Sequence, residues 1–270
     1  MIIRVPHSFC MSILVFFFVF SATQAKAEIE LGSLNLIATP SDSSPIPRGL
    51  LLGGIGILGQ ARYSAQDRPQ YLIPGMVYLG EDFMYLGDRA RYYLYKEGNF
   101  ALYGFGRVRL GNLDAETTPE FKGLQKRKWE LEAGIGANWI TPYALFTARI
   151  ASDITGTSQG QEILLWADFP IVRERFLFMP GLGMMIRSSK LANYYFGGVN
   201  NSEATSSRPA YDTGHTVSPM ASLISSYRIN KNWIAMAAIS YEQYDQSVRH
   251  SPIVQHRGEL YSLFGLGYHW

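Results

Sequence analysis

Cysteine is almost missing from this 270-residue chain: Cys10 is the single one. No internal disulfide can form, and metal centres built on thiolate clusters are excluded. Charge is scarce as well, at 17% of residues, where an ordinary soluble domain carries about 25%. A formal net charge of +2 excludes a strongly basic nucleic-acid binder that grips phosphate by bulk electrostatics. Histidines beyond the N-terminal segment are His215, His250, His256 and His269; none has paired ligand spacing, so no metal site is expected. The glycine run Gly53–Gly59 (GGIGILG) has neither the GxGxxG spacing nor the helix that a nucleotide loop needs, and no cofactor is expected. Beyond the first 27 residues, no apolar run approaches the ~20 residues of a membrane helix.

What is abundant is apolar (47%), aromatic (14%) and glycine, with 26 glycines, 17 tyrosines and 15 phenylalanines. That apolar fraction is far from a disordered composition, while the mean hydropathy of -0.03 excludes a helical membrane protein. At the N-terminus Arg4 precedes the short apolar run Phe9–Phe20, and Ala25-Lys26-Ala27 supplies a small-x-small cleavage site. This is the pattern of a secretory signal peptide over 1–27. Cleavage after Ala27 leaves an exported chain with no cysteine and with equal numbers of basic and acidic residues.

The dominant pattern in the remainder is alternation with period two, the mark of strands. In Trp129–Trp139 one face reads Trp129, Leu131, Ala133, Ile135, Ala137, Trp139, and the other Glu130, Glu132, Gly134, Gly136, Asn138. Such a strand is ~34 Å long at ~3.4 Å per residue. Tilted by ~40° it rises ~26 Å, against the ~25 Å apolar band of an outer-membrane barrel with aromatic girdles at both edges. Asn232–Gln243 repeats the pattern with Trp233 and Tyr241 at the ends of its apolar face, and Phe176–Ile186, Asn99–Leu110 and Gln161–Ile171 alternate likewise. Alternation alone fits a soluble barrel or sandwich with the faces exchanged. Two further features favour the membrane: a final segment, Leu260–Trp270, that ends on an aromatic residue, and connections that alternate short and long.

The expectation is therefore an all-β fold, a transmembrane antiparallel up-and-down β-barrel of about 12 strands in the outer membrane of a Gram-negative bacterium. Strands are predicted near 49–63, 70–79, 82–87, 90–96, 99–110, 129–140, 143–153, 161–171, 175–187, 215–229, 232–244 and 258–270. The barrel occupies 48–270. Residues 28–47, with the Ser- and Pro-rich Thr39–Pro47, read as an extended periplasmic linker outside it. Trp129, Trp139, Trp233, Tyr241 and Trp270 are expected at the membrane interfaces, anchoring the barrel in outer-membrane lipid.

The long connections carry a family resemblance. Tyr194-Tyr195-Phe196-Gly197 with Glu203-Ala204 and Tyr211 resembles the YFGV…eA…Y segment of the MltA-interacting protein family (MipA/OmpV). Ser251-Pro252-Ile253-Val254 is similar to its SPIV element. Asp153, Gly156 and Gly160 resemble its D-x-x-G-x-x-x-G loop, and Gly53-Gly54, Tyr63, Asp67 and Pro74 its opening strand pair. The chain departs from that pattern at Arg249-His250, where the family has an acidic residue, and at the additional Gly198. The resemblance implies an outer-membrane barrel that scaffolds a murein-degrading transglycosylase and a murein synthase. It also marks Tyr194, Tyr195, Phe196, Ser251 and Pro252 as loop or partner candidates.

The charges predicted to face the lumen are Arg107, Arg109, Glu130, Glu132, Arg149, Asp153, Glu162 and Asp168. They could line a small-solute path, or neutralise one another in a plugged lumen. The cluster Tyr194–Phe196 could meet a partner or pack a loop over the barrel mouth. His250-Ser251 is the sharpest catalytic candidate, for a lipid hydrolase, and adjacent strand side chains point to opposite faces, which weakens it. The preferred expectation is a non-enzymatic interaction protein; the alternative is a narrow outer-membrane channel for small solutes.

Overall fold

A computed structural model describes residues 34–41, 44–63, 70–111, 113, 115 and 119–270. The expected signal segment, Asp67 and residues 28–33 lie outside the described residues.

Thirteen strands run in chain order: β1 (Gly49–Gly59), β2 (Gln70–Leu79), β3 (Phe83–Tyr85), β4 (Arg89–Glu97), β5 (Phe100–Arg109), β6 (Glu130–Ile140), β7 (Leu145–Asp153), β8 (Gln161–Asp168), β9 (Ile171–Arg173), β10 (Phe176–Arg187), β11 (Thr216–Arg228), β12 (Trp233–Gln243) and β13 (Gly258–His269). Every pairing between them is antiparallel, and β13 returns to β1 from Leu51↔His269 to Gly59↔Tyr261. The sheet thus closes, leaving no edges at the ends of the chain. β9 pairs only with β10 and prolongs β8 past Phe169-Pro170, so the closed barrel has twelve staves. Segment 82–96, predicted as two strands, forms the hairpin β3–β4.

The alternation dictates which side of each stave meets lipid. In β6, Ile135 and Trp139 are exposed while Glu130, Glu132 and Asn138 are buried; in β11 the even residues from Thr216 to Arg228 point inward. Short turns join the strands at the end where Arg48 enters and Trp270 leaves, which is the periplasmic side by the loop-length rule of such barrels. Long connections leave the strands at the other mouth, where their described residues 60–63, 110–111, 113, 115, 119–129, 154–160, 188–215 and 244–257 gather.

Two departures from the expectation matter. The first is the wall at β3. β2 pairs with β3 only at Tyr78↔Tyr85 and Leu79↔Met84. The antiparallel alternation aims the backbone groups of Gln70, Leu72, Pro74 and Met76 away from β1, and no described strand takes them up. Pro74, which has no N–H, falls on this open edge, the position a strand proline tolerates.

The second is the segment before the barrel, which the sequence reading placed outside as a linker. Its described part folds into the periplasmic mouth instead. Leu34 at the start of helix α1 (Leu34–Ile37), Ala38 and Ile46 are almost wholly buried. They pack with the lumen-facing Leu79, Met84, Leu177, Met179, Ile224 and Ala238. Leu36 lies against Tyr93, Ala101 and Tyr103 from the other side of the barrel. Serine and proline signal the absence of regular structure, not a position; the scattered apolar residues Leu34, Ala38 and Ile46 carry the information about burial.

Candidate functional site

The barrel interior has two storeys. The periplasmic one is the apolar packing just described. Above it six of the eight predicted lumen charges converge. Register sets Arg107 opposite Glu132 and Arg109 opposite Glu130 across β5–β6, and Glu162 projects from β8. Arg107 Nε donates to Glu132 at 2.7 Å, and its Nη2 to Glu162 at 2.6 Å. Arg109 reaches Glu132 at 2.9 Å, Glu162 at 2.6 Å and Glu130 at 3.5 Å. Arg149 adds a 3.2 Å bond to Glu162. Three guanidiniums, of which Arg109 is partly exposed, and three buried carboxylates meet as one network of opposite charges, the arrangement that makes buried charge tolerable. Tyr103 below it holds Arg91 over its ring, 3.8 Å from the centroid.

The other two predicted charges lie apart. Asp153 closes β7 and organises the following turn: it accepts from the amides of Thr155 (2.8 Å), Gly156 (3.1 Å), Ser158 (2.9 Å) and Gln159 (2.9 Å). Asp168 sits nearer the periplasmic end and accepts from the indole of Trp166 at 2.7 Å.

Sequence reasoning missed a second charged group on the opposite wall. Arg187 donates to Glu242 with two nitrogens, at 2.5 and 3.0 Å. Arg62 pairs with Glu259 and donates to Tyr244 OH and Tyr195 O, each at 2.9 Å. Arg187 and Glu242 are in phase with the inward faces of their strands, so alternation could have found them. Their meeting across 55 residues leaves no local signal.

These arginines hold the extracellular loops. Phe196 is packed by both guanidiniums, with Arg62 at 4.1 Å and Arg187 at 3.9 Å from the ring centroid, a cation–π clamp. Helix α2 (Ser189–Tyr195), capped by the Ser188 side chain, brings Leu191 and Tyr195 down beside Phe196, Tyr244 and Val248. Tyr195 OH donates to Lys128 O at 2.6 Å, and Tyr194 OH accepts from Lys128 N at 3.0 Å. A second apolar cluster joins Tyr63, Leu113, Phe121, Leu124, Val199 and Ile253 from four loops. Arg127 ties it by bonding Glu203 at 3.0 Å and Gly198 O at 3.1 Å. Burial alone would raise the Glu203 carboxyl, but the amides of Asn200 and Gln125 and the Arg127 guanidinium together hold its pKa below the usual range.

The aromatic loop candidates Tyr194, Tyr195 and Phe196 thus sit within a folded cap over the mouth. Ser251 is buried there and donates to Gly197 O at 2.5 Å, while Pro252 is exposed. Gly197 has φ +117°, and a Cβ on it would sit 2.7 Å from Ser251 Oγ; both the backbone and the space demand glycine. The girdle candidates Trp129, Trp139, Trp233, Tyr241 and Trp270 are all exposed on the outer wall. At the periplasmic edge Trp139 packs on Phe146 and Trp233 on Tyr268. The outer wall as a whole presents apolar side chains to outer-membrane lipid.

The family model for MltA-interacting protein MipA matches residues 52–270. The MltA-interacting protein of Escherichia coli is 24% identical over 225 residues, covering 81% of this chain and 89% of its own length. The outer membrane protein Omp26La of Vibrio anguillarum and OmpV of Vibrio cholerae are each 27% identical, over 157 and 161 residues, covering 58% of this chain and 61% of their own. Among solved structures the NanC porin aligns over 82% of this chain and 100% of its own, with 8% identity and a TM-score of 0.43. The register-closed barrel, its lipid-facing aromatics and the match across nearly all of it lead to one conclusion: the chain belongs to the MltA-interacting protein family of outer-membrane β-barrels.

Proposed function

We propose that the chain is a non-enzymatic interaction barrel, a scaffold in the outer membrane at which cell-wall (murein) synthesis and hydrolysis enzymes are held together. One observation carries the reading: packed side chains occupy the interior at three levels. Apolar side chains of 34–47 occupy the periplasmic storey, neutral ion pairs the upper one, and folded loops the top. A barrel filled this way offers surfaces, not a conduit, and the Ser251 hydroxyl, bonded to a backbone carbonyl, is not poised as a nucleophile. The Escherichia coli relative is named for its interaction with MltA, and the family resemblance supplies the partner classes, a murein-degrading transglycosylase and a murein synthase.

The test has two arms. Full-length protein immobilised in nanodiscs should retain both enzymes from a periplasmic extract, and refolded barrels in planar bilayers should pass no steady current. Failure to retain either enzyme would remove the scaffold reading. A reproducible, salt-dependent conductance altered by Arg107→Ala or Glu132→Ala would put a narrow small-solute channel in its place.

A further inference from the structure

The periplasmic storey is built differently from the rest of the barrel. Its lining is apolar: Leu177, Met179, Ile224 and Ala238 stand side by side on β10, β11 and β12, and Leu79 and Met84 on β2 and β3 join the same cluster. What fills it is not a strand of the wall. The described part of the segment 34–47 is a compact turn that bonds largely to itself. Ala38 N donates to Leu34 O at 3.0 Å, Thr39 N to Ile46 O at 3.1 Å, Ser44 N to Ser41 O at 3.0 Å and Arg48 N to Thr39 O at 3.0 Å. The Ser44 hydroxyl donates to Ile46 O at 2.8 Å. Toward the wall, Ser226 Oγ donates to Pro45 O at 2.8 Å, and Leu34, Ala38 and Ile46 make apolar contact. The segment is anchored where it joins β1, with His269 Nε2 2.7 Å from Arg48 O.

A turn that satisfies its own backbone can leave as a unit, because its departure strands few polar groups on the wall. What it does strand is apolar surface, at Met179 and Ile224 above all, each fully buried now. Water in that space is unfavourable, so departure becomes favourable only when another apolar segment takes the place. Polar ligands and ions gain nothing from such a lining.

We propose that the periplasmic mouth is an apolar socket in which Leu34–Pro47 is a resident, displaceable ligand, and that a periplasmic partner docks by inserting an apolar turn of its own there. This deepens the interaction-barrel reading by naming the face, and rests on it. The resident segment makes docking self-limited: the partner competes with a tethered ligand, so its apparent affinity is its intrinsic affinity multiplied by the fraction of sockets that are empty.

The probe is a fluorescent synthetic peptide of residues 34–47, added to barrels in nanodiscs. A chain shortened by removal of 28–46 should bind it saturably and at least tenfold more tightly than the full chain, and Met179→Glu in the shortened chain should abolish binding. A shortened chain that keeps the heat-modifiable mobility of a folded barrel yet binds no peptide would overturn the proposal. If the shortened chain does not fold, the full chain carrying Ala38→Cys as its single mature cysteine decides. Excess unlabelled peptide should accelerate maleimide labelling of that buried cysteine. Labelling that peptide does not accelerate, while Thr39→Cys reacts freely, would make the segment a permanent part of the wall and sink the idea. Loss of peptide binding with both murein enzymes still retained by the full chain would remove the socket and leave the scaffold reading standing.

Discussion

Tyr103 and Gly136 illustrate how closely the inner wall is fitted. They are cross-strand neighbours on β5 and β6, and the phenol ring lies where a Cβ on Gly136 would stand, 2.3 Å from its nearest atoms. An aromatic ring covering a cross-strand glycine is a device that pins register. Gly136→Ala should cost roughly 1–3 kcal/mol by overpacking, read as a lowered temperature of the heat-modifiable gel shift, and Tyr103→Leu in the same chain should recover part of it. Outside, Ile135 faces lipid from the middle of β6, well exposed at 64%. Ile135→Arg should cost roughly 2–4 kcal/mol in urea-dependent folding into bilayers, whereas Trp129→Arg, at the interface, should cost about 0–1 kcal/mol. Equal costs at the two positions would contradict the assigned faces.

The loops stand or fall on a few carboxylates. Glu203 accepts from Asn200 N and Gln125 N at 2.8 Å each and pairs with Arg127. Burial would raise the Asp245 carboxyl, but amides of Val217 and Ser247 hold it low; the Asn193 side chain and the Gly214 amide do the same for Asp212. Carboxyls depressed on folding contribute stability that is complete above their unfolded values and is lost as pH falls through the folded ones. The cap should therefore hold at neutral pH and loosen as pH drops below about 4. Protection of the Val199 and Tyr211 amides, which bond each other across the cap at 2.9 Å, would report it, after correction for intrinsic exchange. Glu203→Ala should lower that protection at neutral pH by roughly 3–5 kcal/mol, the cost of orphaning buried Arg127. These elements also mark how far the sequence could be read. Strand phase was legible because each stave faces lipid on one side, so β6 and β12 carry their pattern locally. The partners of the charges were not: Arg107 meets Glu162 across 55 positions and Arg62 meets Glu259 across 197, which only the closed topology supplies. The place of 34–47 was hidden for a related reason: Leu34, Leu36, Ile37 and Ala38 form too short an apolar run to fix a period, and Ile46 stands apart from it.

The barrel as a cylinder is uneven around its circumference. On one side β10, β11 and β12 pair along nearly their full lengths. On the other, three residues of β3 stand where a full stave belongs, and β2 presents an open edge above them. Hoop strength in such a wall comes from the ladder of hydrogen bonds, and a hoop fails at its thinnest link. The cylinder therefore carries a seam, and it lies between β2 and β4, away from the β1–β13 junction where the chain ends meet. In detergent micelles, amide exchange should begin at Leu72 and Met76, while Leu223 and Ile224 on the far wall exchange last. Heated or pulled, the barrel should unzip from that seam with its terminal strands still joined.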